Sequence, residues 1–262
     1  MTQLIADYSD ERQAFQELFG VTCAERILLL RGESGCGKTH LLTYCQQIVP
    51  DTVTQAPIQL RGTTVTVAEI FYRTGGAVGW DRFNHFARHV AEMQRSPAVK
   101  IDRNWLVGMN NHIDVALTAE DQAGREHRRA ALTDAWFADA RQLPQPLLVL
   151  FDTFEQASDE VKAWLSGPFL ARVVRTPTVR VVIAGQEIPP AHNIEWGHCC
   201  QERALYGVRE AEHWMPVVQA MGRYIPNDAP LDWLAGVCHA LEGRPEAILK
   251  ILQRLPRRSA LA

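Results

Sequence analysis

The residues whose types and spacing most clearly indicate a chemical role form the segment Gly32-Glu33-Ser34-Gly35-Cys36-Gly37-Lys38-Thr39, which matches the pattern G-x-x-x-x-G-K-[ST]. The segment follows an apolar run at residues 27–30 and precedes a predicted helix at 39–48. Glycines in such a loop let the backbone wrap around a phosphate with its N–H groups pointing inward, and the helix adds the positive end of its dipole. We therefore expect Lys38 to reach the β- and γ-phosphates of a nucleotide, and the Thr39 hydroxyl to bind Mg²⁺. We assign the next residue, His40, to the same nucleotide contact.

A carboxylate at the end of a neighbouring buried strand would complete the magnesium site. Asp152 has this position, directly after the apolar run Leu147-Leu148-Val149-Leu150-Phe151. An acid there is costly to bury without a partner, and Thr39 or a metal-bound water would supply one. The alternative is an Asp that caps the helix after the strand. We favour the magnesium role because the phosphate-binding pattern lies upstream.

Hydrolysis would also need a group that orients the attacking water. An acid is expected directly after the magnesium Asp, but Thr153 stands there, so Glu155 becomes the candidate; a solvated residue in the first turn of a helix is the alternative. Gln186 follows a predicted strand and is our candidate for sensing the γ-phosphate or the water, with a simple turn as its alternative. Transition-state charge would need an arginine, and the sequence favours none of its candidates over a solvated surface residue. These are Arg172, Arg175 and Arg203.

The composition is that of a globular protein with a substantial core. The chain has 262 residues, of which 47% are hydrophobic and 22% charged, so it can form one large domain or a medium and a small one. A net charge of −3 gives no general attraction to nucleic acid. No apolar run is as long as a bilayer span, and the N-terminus lacks the basic and apolar regions of a leader. We expect a soluble, cytoplasmic protein without a membrane contact.

The six cysteines indicate neither a disulfide framework nor a zinc pair, because no C-x-x-C spacing occurs. Cys36 lies inside the phosphate-binding pattern, which suits a reducing compartment. A zinc site around Cys199, Cys200 and Cys238 is disfavoured, since adjacent cysteines rarely bind the same metal. We predict buried thiols instead.

Apolar strands that alternate with helices across the first 185 residues predict an α/β fold with a parallel sheet. The predicted strands are 26–31, 56–60, 147–151 and 179–184. The third is too apolar to have a wet face, which is typical of a sheet covered on both sides. The first predicted helix has Ser9 or Asp10 as its cap. Further helices are predicted at 39–48, 67–72, 80–93 and 119–141, and Gly75, Gly76 and Gly79 are expected to break the one that begins at residue 67.

The pattern changes in two places. Residues 97–118 are predicted to be an insertion with short strands at 99–101 and 113–117, paired as a hairpin, and to offer a partner-binding surface. Beyond Pro190 the sequence becomes helical, with helices at 210–221, 230–241 and 244–255. We therefore predict a nucleotide-binding α/β core at residues 1–190 and a small helical lid domain at 191–262. Gly243-Arg244-Pro245 before the last helix is also ordinary helix punctuation.

Together these segments resemble the STAND class of P-loop ATPases, near the AAA+ and NB-ARC modules. The matching pieces are residues 31–39, 148–155, 180–185 and 243–245. The resemblance implies a P-loop NTPase sheet flanked by helices, a helical lid, and ATP or ADP bound with Mg²⁺. It also implies that residues 7–19 form a lead-in helix near the adenine, and that Pro245 packs against the bound nucleotide. The winged-helix and repeat domains of the family do not follow the lid, so either another chain supplies them or the chain resembles a reduced or truncated bacterial member.

The function implied by this resemblance is a nucleotide-controlled switch in signalling or defence, which passes its state to a protein partner or to another copy. Thr153 in place of the second acid implies slow hydrolysis. The absence of an Asn-Lys-x-Asp guanine signature favours ATP. One alternative is a DNA-associated AAA+ ATPase of the origin-recognition or transposition-helper type, whose densest basic cluster would be Arg125, Arg128 and Arg129, although the overall charge gives nucleic-acid binding no support. Another is a nucleotide-binding module without hydrolysis.

Overall fold

The computed structural model describes residues 5–20, 23–61, 65–94 and 108–257. In these ranges helices α1 to α11 are Ser9–Glu17, Lys38–Ile48, Val67–Val78, Asn84–Met93, Met109–Leu117, Gln122–Ala140, Asp159–Trp164, Leu170–Val174, Ala211–Ala220, Pro230–Ala240 and Pro245–Leu252. Strands β1 to β5 are Ile27–Gly32, Thr54–Gln59, Leu147–Asp152, Val179–Gly185 and Cys200–Leu205. A π-helical turn at Leu165–Phe169 joins α7 to α8. No helix in the described ranges is both long and apolar enough to cross a membrane.

The five strands form one parallel sheet in the order β2-β3-β4-β1-β5. β1 pairs with β4 on one side and β5 on the other, so Leu29 lies opposite both Ile183 and Glu202. Because the carboxyl ends of parallel strands meet at one edge, the segments that follow β1, β3 and β4 converge there. This confirms the predicted α/β fold with a parallel sheet flanked by helices.

Alternate residues of the central strands pack into two separate hydrophobic clusters. On β1, Ile27 and Leu29 face a cluster built with α3 to α8, whereas Leu28 and Leu30 face one built with α1, α2 and α9 to α11. This alternation follows from the two-residue period of a strand, and burial on both faces explains why the strands are apolar throughout. The C-terminal helices (α9 to α11) therefore share a core with the sheet.

The expectation of helices alone beyond Pro190 is wrong, because β5 forms an outer strand of the sheet. Its sequence, Cys-Gln-Glu-Arg-Ala-Leu, lacks an apolar run, and only Leu205 is buried. A half-exposed outer strand carries little hydrophobic signal, so periodicity did not reveal it. The division into a core and a lid stays a prediction, but the sheet extends to Leu205.

The strand expected at 113–117 is also wrong, because these residues form the second half of α5. Met109, Ile113 and Ala116 are spaced by three and four residues and are buried in the first cluster, which is a helical pattern. The partner strand expected at 99–101 lies outside the described residues, as does the rest of 95–107. The interpretation of 97–118 as an insertion stays a prediction.

The glycines at 75 and 76 do not break α3, which continues through both to Val78 and has Gly79 as its C-cap. Gly75 is needed for packing, since a Cβ there would lie 2.5 Å from the ring of Trp80. Trp80 in turn stacks on Tyr72 and Phe86. At Gly76 a Cβ would meet no atom within 4 Å.

The six cysteines are free thiols. Cys36, Cys45 and Cys238 are buried as predicted, whereas the other three are only partly buried. Burial raises the pKa of the Cys45 thiol to about 12 and that of Cys238 to about 11, so both are protonated at neutral pH.

The two helical glycines form a matched pair for a stability test. We predict that Gly75→Ala lowers the free energy of unfolding by about 1–3 kcal/mol, because the new methyl group displaces Trp80 from its stack. Gly76→Ala should raise it by about 0.5–1 kcal/mol, since alanine favours the helix and meets no neighbour. Urea unfolding followed by tryptophan fluorescence measures both, and equal effects at the two positions would contradict this account of Gly75.

Candidate phosphate-binding site

The loop between β1 and α2 has the backbone form that phosphate binding needs. Gly35 and Gly37 have φ angles of 82° and 86°, which glycine adopts without the cost that a side chain imposes. The Lys38 ammonium donates to the carbonyl oxygens of Gly32 at 2.6 Å and Glu33 at 2.8 Å. Lys38 thus folds back over its own loop, where the positive end of α2 also points.

Gly32 is required by a close approach at the start of this loop. A Cβ at this position would overlap the Cys36 sulfur and lie 3.0 Å from the carbonyl oxygen of Leu205. Cys36 is buried, and burial raises the pKa of its thiol, although the Lys38 charge acts in the opposite direction. Glu33 and Ser34 are exposed on the rim of the loop.

Thr39 and Asp152 lie together, as the sequence predicted. The Thr39 hydroxyl donates to Asp152 Oδ2 at 2.8 Å, although the two residues are 113 positions apart in the chain. Asp152 is the last residue of β3, and its carbonyl oxygen accepts from the Leu60 N–H beyond β2, so the strand end that carries it is fixed. Two oxygen groups of the kind that binds Mg²⁺ therefore meet at the first turn of α2.

Glu155 and Gln186 also lie together, at the ends of neighbouring strands. Glu155 Oε2 accepts the backbone N–H of Gln186 at 2.9 Å, and Oε1 lies 3.3 Å from its side-chain amide. Between Asp152 and Glu155 the chain turns at Thr153, a buried β-branched residue with a φ of 63°. Such a residue rarely adopts this conformation, and rare conformations of this kind concentrate at functional sites.

These residues line one open cavity of about 290 Å³ beside the loop. Its wall also contains Arg61, which follows β2 and which the sequence analysis did not single out. No motif marks Arg61; only the sheet order, which puts β2 beside β3, brings it to the cavity. The sequence-based arginine candidates lie elsewhere: Arg172 pairs with Asp134, Arg175 ends α8 at the opposite edge of the sheet, and Arg203 is on β5.

The start of α1 touches the loop from the other side. Tyr8, not Ser9 or Asp10, is the cap residue, and its φ of 72° is unusual for a large side chain. The buried Tyr8 hydroxyl donates to the carbonyl oxygen of Cys36 at 2.5 Å, and the carbonyl oxygen of Tyr206 lies 3.1 Å from the same hydroxyl. Burial raises the pKa of Tyr8, so the hydroxyl stays protonated. One tyrosine thus links the lead-in segment, the loop and the end of β5.

The start of α11 contacts the loop directly. The Glu246 N–H donates to the carbonyl oxygen of Gly35 at 3.3 Å, and Pro245 would lie 3.5 Å from a Cβ on Gly37. Pro245, His40 and Tyr8 line a narrow apolar cleft between the loop and the C-terminal helices. His40 also borders the larger cavity, so the structure places it between the two.

A family model described as an AAA ATPase domain matches residues 9–183, which is about two thirds of the chain. The chain belongs to this family. It is therefore a nucleotide-binding P-loop ATPase of the AAA+ type. A search of curated proteins found no match.

The solved structures that are similar to the chain include the following two. The Walker-type ATPase PABY2304 of Pyrococcus abyssi is 14% identical, with a TM-score of 0.47 over 95% of this chain and 71% of that one. The structure of Drosophila ORC bound to AT-rich DNA and Cdc6 is 11% identical, with a TM-score of 0.39 over 95% of this chain and 78% of that one.

The residues present fit a nucleotide with Mg²⁺. The left-handed glycines leave a backbone cradle without side chains, and Lys38 supplies the cation beside it. The Thr39 hydroxyl and the Asp152 carboxylate are the oxygen donors that Mg²⁺ prefers. The roles of the individual residues remain predictions from this geometry.

Arg61 is an exposed cation on the wall of the cavity. Arg61→Ala should weaken ATP binding by about threefold to tenfold and leave ADP binding nearly unchanged, because an exposed cation at this wall faces the charge beyond the β-phosphate. Titration with fluorescent nucleotides measures both affinities. Arg175→Ala is the matched control and should change neither, while equal losses for ATP and ADP would contradict this placement of Arg61.

Proposed function

We propose that the chain is a nucleotide-dependent switch that binds ATP with Mg²⁺, hydrolyses it slowly and passes its state to a partner protein. The observation that carries this proposal is the pair of hydrogen bonds from outside the phosphate loop to its carbonyl oxygens. Tyr8 before α1 bonds to Cys36, and Glu246 in α11 bonds to Gly35. A movement of the loop would therefore alter its contacts with the N-terminal segment before α1 and with the C-terminal helix α11.

ATP would bind with its phosphates in the loop and its base toward the apolar cleft of Tyr8, His40 and Pro245. Lys38 would exchange its two carbonyl partners for phosphate oxygens, which frees the carbonyls of Gly32 and Glu33. Bound Mg²⁺, held by Thr39 and Asp152, supplies charge neutralisation at the phosphates. Binding shifts the balance between two conformations only by its differential affinity for them.

Slow hydrolysis follows from how the water-orienting group is held. Glu155 is the next acid in the sequence after Asp152, but it already accepts two hydrogen bonds from Gln186. Thr153, in the position where an acid is expected, offers a hydroxyl with no basic character. Glu155 must therefore leave Gln186, or act together with it, to orient a water beside the γ-phosphate.

The arginines of the basic cluster that a DNA-binding function would need make hydrogen bonds or an ion pair within the chain. Arg125 and Arg128 donate to the carbonyl oxygens of Ala119 and Ala116, and Arg129 pairs with Glu160 at 2.8 Å. The first two guanidinium groups hold the segment before α6 in place, and Arg129 links α6 to α7. A protein partner is the better-supported recipient of the signal.

Two substitutions test nucleotide binding and ATP hydrolysis separately. We predict that Lys38→Ala loses ATP and ADP binding by at least about a hundredfold, because a charge-assisted phosphate contact disappears. Glu155→Gln should keep the affinity within about threefold and lower kcat by about tenfold or more. Arg73→Ala, an exposed cation on α3, is the control. Unchanged turnover in Glu155→Gln would remove Glu155 from the proposal.

The switch itself predicts a change in protease sensitivity. Arg209 is exposed in the segment between β5 and α9, next to the bond between the Val208 N–H and the Gly243 carbonyl oxygen at 2.7 Å. We expect trypsin to cleave after Arg209 at rates that differ at least about threefold between ATP-bound and ADP-bound protein. Cleavage after exposed Arg82 is the internal control. Identical cleavage patterns in both states would contradict the switch.

A further inference from the structure

The outer edge of β5 is a surface that the nucleotide site does not use. β2 and β5 are the outer strands of the sheet, and an outer strand presents backbone N–H and C=O groups on one side for further pairing. β2 contains Pro57, which has no N–H and so weakens its edge as a template. β5, residues 200–205, contains no proline.

A groove of about 590 Å³ runs between this edge and α1. Its walls carry four carboxylates and one guanidinium, and the Tyr206 side chain stands at its end with 77% of its surface exposed. These charged residues are Asp10, Glu11, Glu17, Glu202 and Arg203. The groove is thus strongly acidic beside an open strand edge.

The carboxylates on the α1 side are available to a cation. Arg203 is turned toward its own strand, where it donates to the Glu202 carbonyl oxygen and the Gln201 side chain. Glu202 pairs with Arg31 at 3.2 Å, whereas within the described ranges Asp10 and Glu11 have no ion pair. Burial raises the pKa of Glu11 and the Asp10 charge adds to this effect, whereas the Arg203 charge opposes it. A basic side chain placed beside Asp10 and Glu11 would stabilise the charged form of both carboxylates.

We propose that this groove binds an extended basic segment of a partner protein, which adds to β5 as a further strand. Backbone pairing along the edge supplies affinity, and lysine or arginine at alternate positions meets the α1 carboxylates, because side chains of a strand alternate between its faces. The exposed Tyr206 ring covers the aliphatic stem of such a side chain. The inference rests on the proposed relay to a partner and names the chemistry of that partner.

The charge of the groove argues against two other occupants. A second copy of this chain, paired edge to edge through β5, would bring the same carboxylates toward each other. A nucleic acid would meet them with its phosphates. Of these three occupants, the basic segment is the one that the carboxylates attract.

The groove is also close to the phosphate loop. The carbonyl oxygen of Tyr206 lies 3.1 Å from the Tyr8 hydroxyl, which donates to the carbonyl oxygen of Cys36. A strand bound along β5 would contact Tyr206. It could thereby shift the Tyr8 hydroxyl and its hydrogen bond to the loop. Occupancy of the groove and of the nucleotide site should therefore influence each other equally.

The test uses a fluorescein-labelled peptide of alternating lysine and valine, roughly eight residues long so that it spans the six residues of β5. Fluorescence anisotropy without nucleotide measures its binding to the full chain. A peptide with glutamate in place of lysine tests charge. A lysine peptide that is N-methylated at every backbone amide keeps the charge but loses strand pairing along both of its edges.

We expect the lysine peptide to bind, the N-methylated one to bind at least about tenfold more weakly, and the glutamate one not to bind. Asp10→Asn combined with Glu17→Gln should weaken binding about tenfold. Asp228→Asn combined with Asp232→Asn removes the same charge from exposed positions elsewhere and should change nothing.

Equal binding of the two lysine peptides would overturn strand addition, and insensitivity to the α1 variants would overturn this location. A dimer detected by sedimentation that the peptide dissociates would mean that β5 pairs with itself, and would overturn the proposal too. Because the assay contains no nucleotide, an absence of hydrolysis in the chain would leave its result intact.

Discussion

The structure depends on one constraint: a loop that turns its N–H groups inward to hold a phosphate must turn its carbonyl oxygens outward, where they need donors. In this chain the donors come from three places. Lys38 covers Gly32 and Glu33, Tyr8 covers Cys36, and Glu246 covers Gly35. The loop is thus held by the lead-in segment and by the last helix as well as by its own lysine. Under the proposed function, these contacts connect nucleotide binding at the loop to both segments.

The shared core sets what a movement of the C-terminal helices would cost. Trp214, Leu234 and Ile248 pack in one cluster with Leu28 and Leu30 of the sheet. Opening this cluster to water would expose apolar surface at about 25 cal/mol per Å², so small rotations are cheaper than full opening. The hydrogen bond from the Glu246 N–H to the Gly35 carbonyl oxygen can be lost in such a small rotation without opening the cluster.

The sequence predicted the fold well, and it predicted that the glycine–lysine loop lies between a buried strand and a helix. Strands buried on both faces are apolar runs, and a glycine–lysine loop between a strand and a helix is specific to phosphate binding. The sequence also predicted that Asp152 lies near Thr39, because the carboxyl ends of parallel strands meet at one edge of a sheet. Prediction from the sequence failed for features that depend on tertiary contacts. β5 has a mixed sequence because it is an outer strand, α5 was assigned to a strand from a short apolar run, and Arg61 has no motif. Tyr8 as the donor to Cys36 depends on a positive φ that no local pattern indicates.

The central claim is that the state of the loop reaches α11 through the hydrogen bond between Gly35 and Glu246. Hydrogen exchange measured by mass spectrometry on residues 245–252 tests it directly, with saturating ADP compared with a non-hydrolysable ATP analogue. The account predicts that protection of these amides differs between the two states by at least about tenfold, while β3 exchanges equally in both. Equal protection of residues 245–252 in both states, with binding of both nucleotides verified, would contradict it.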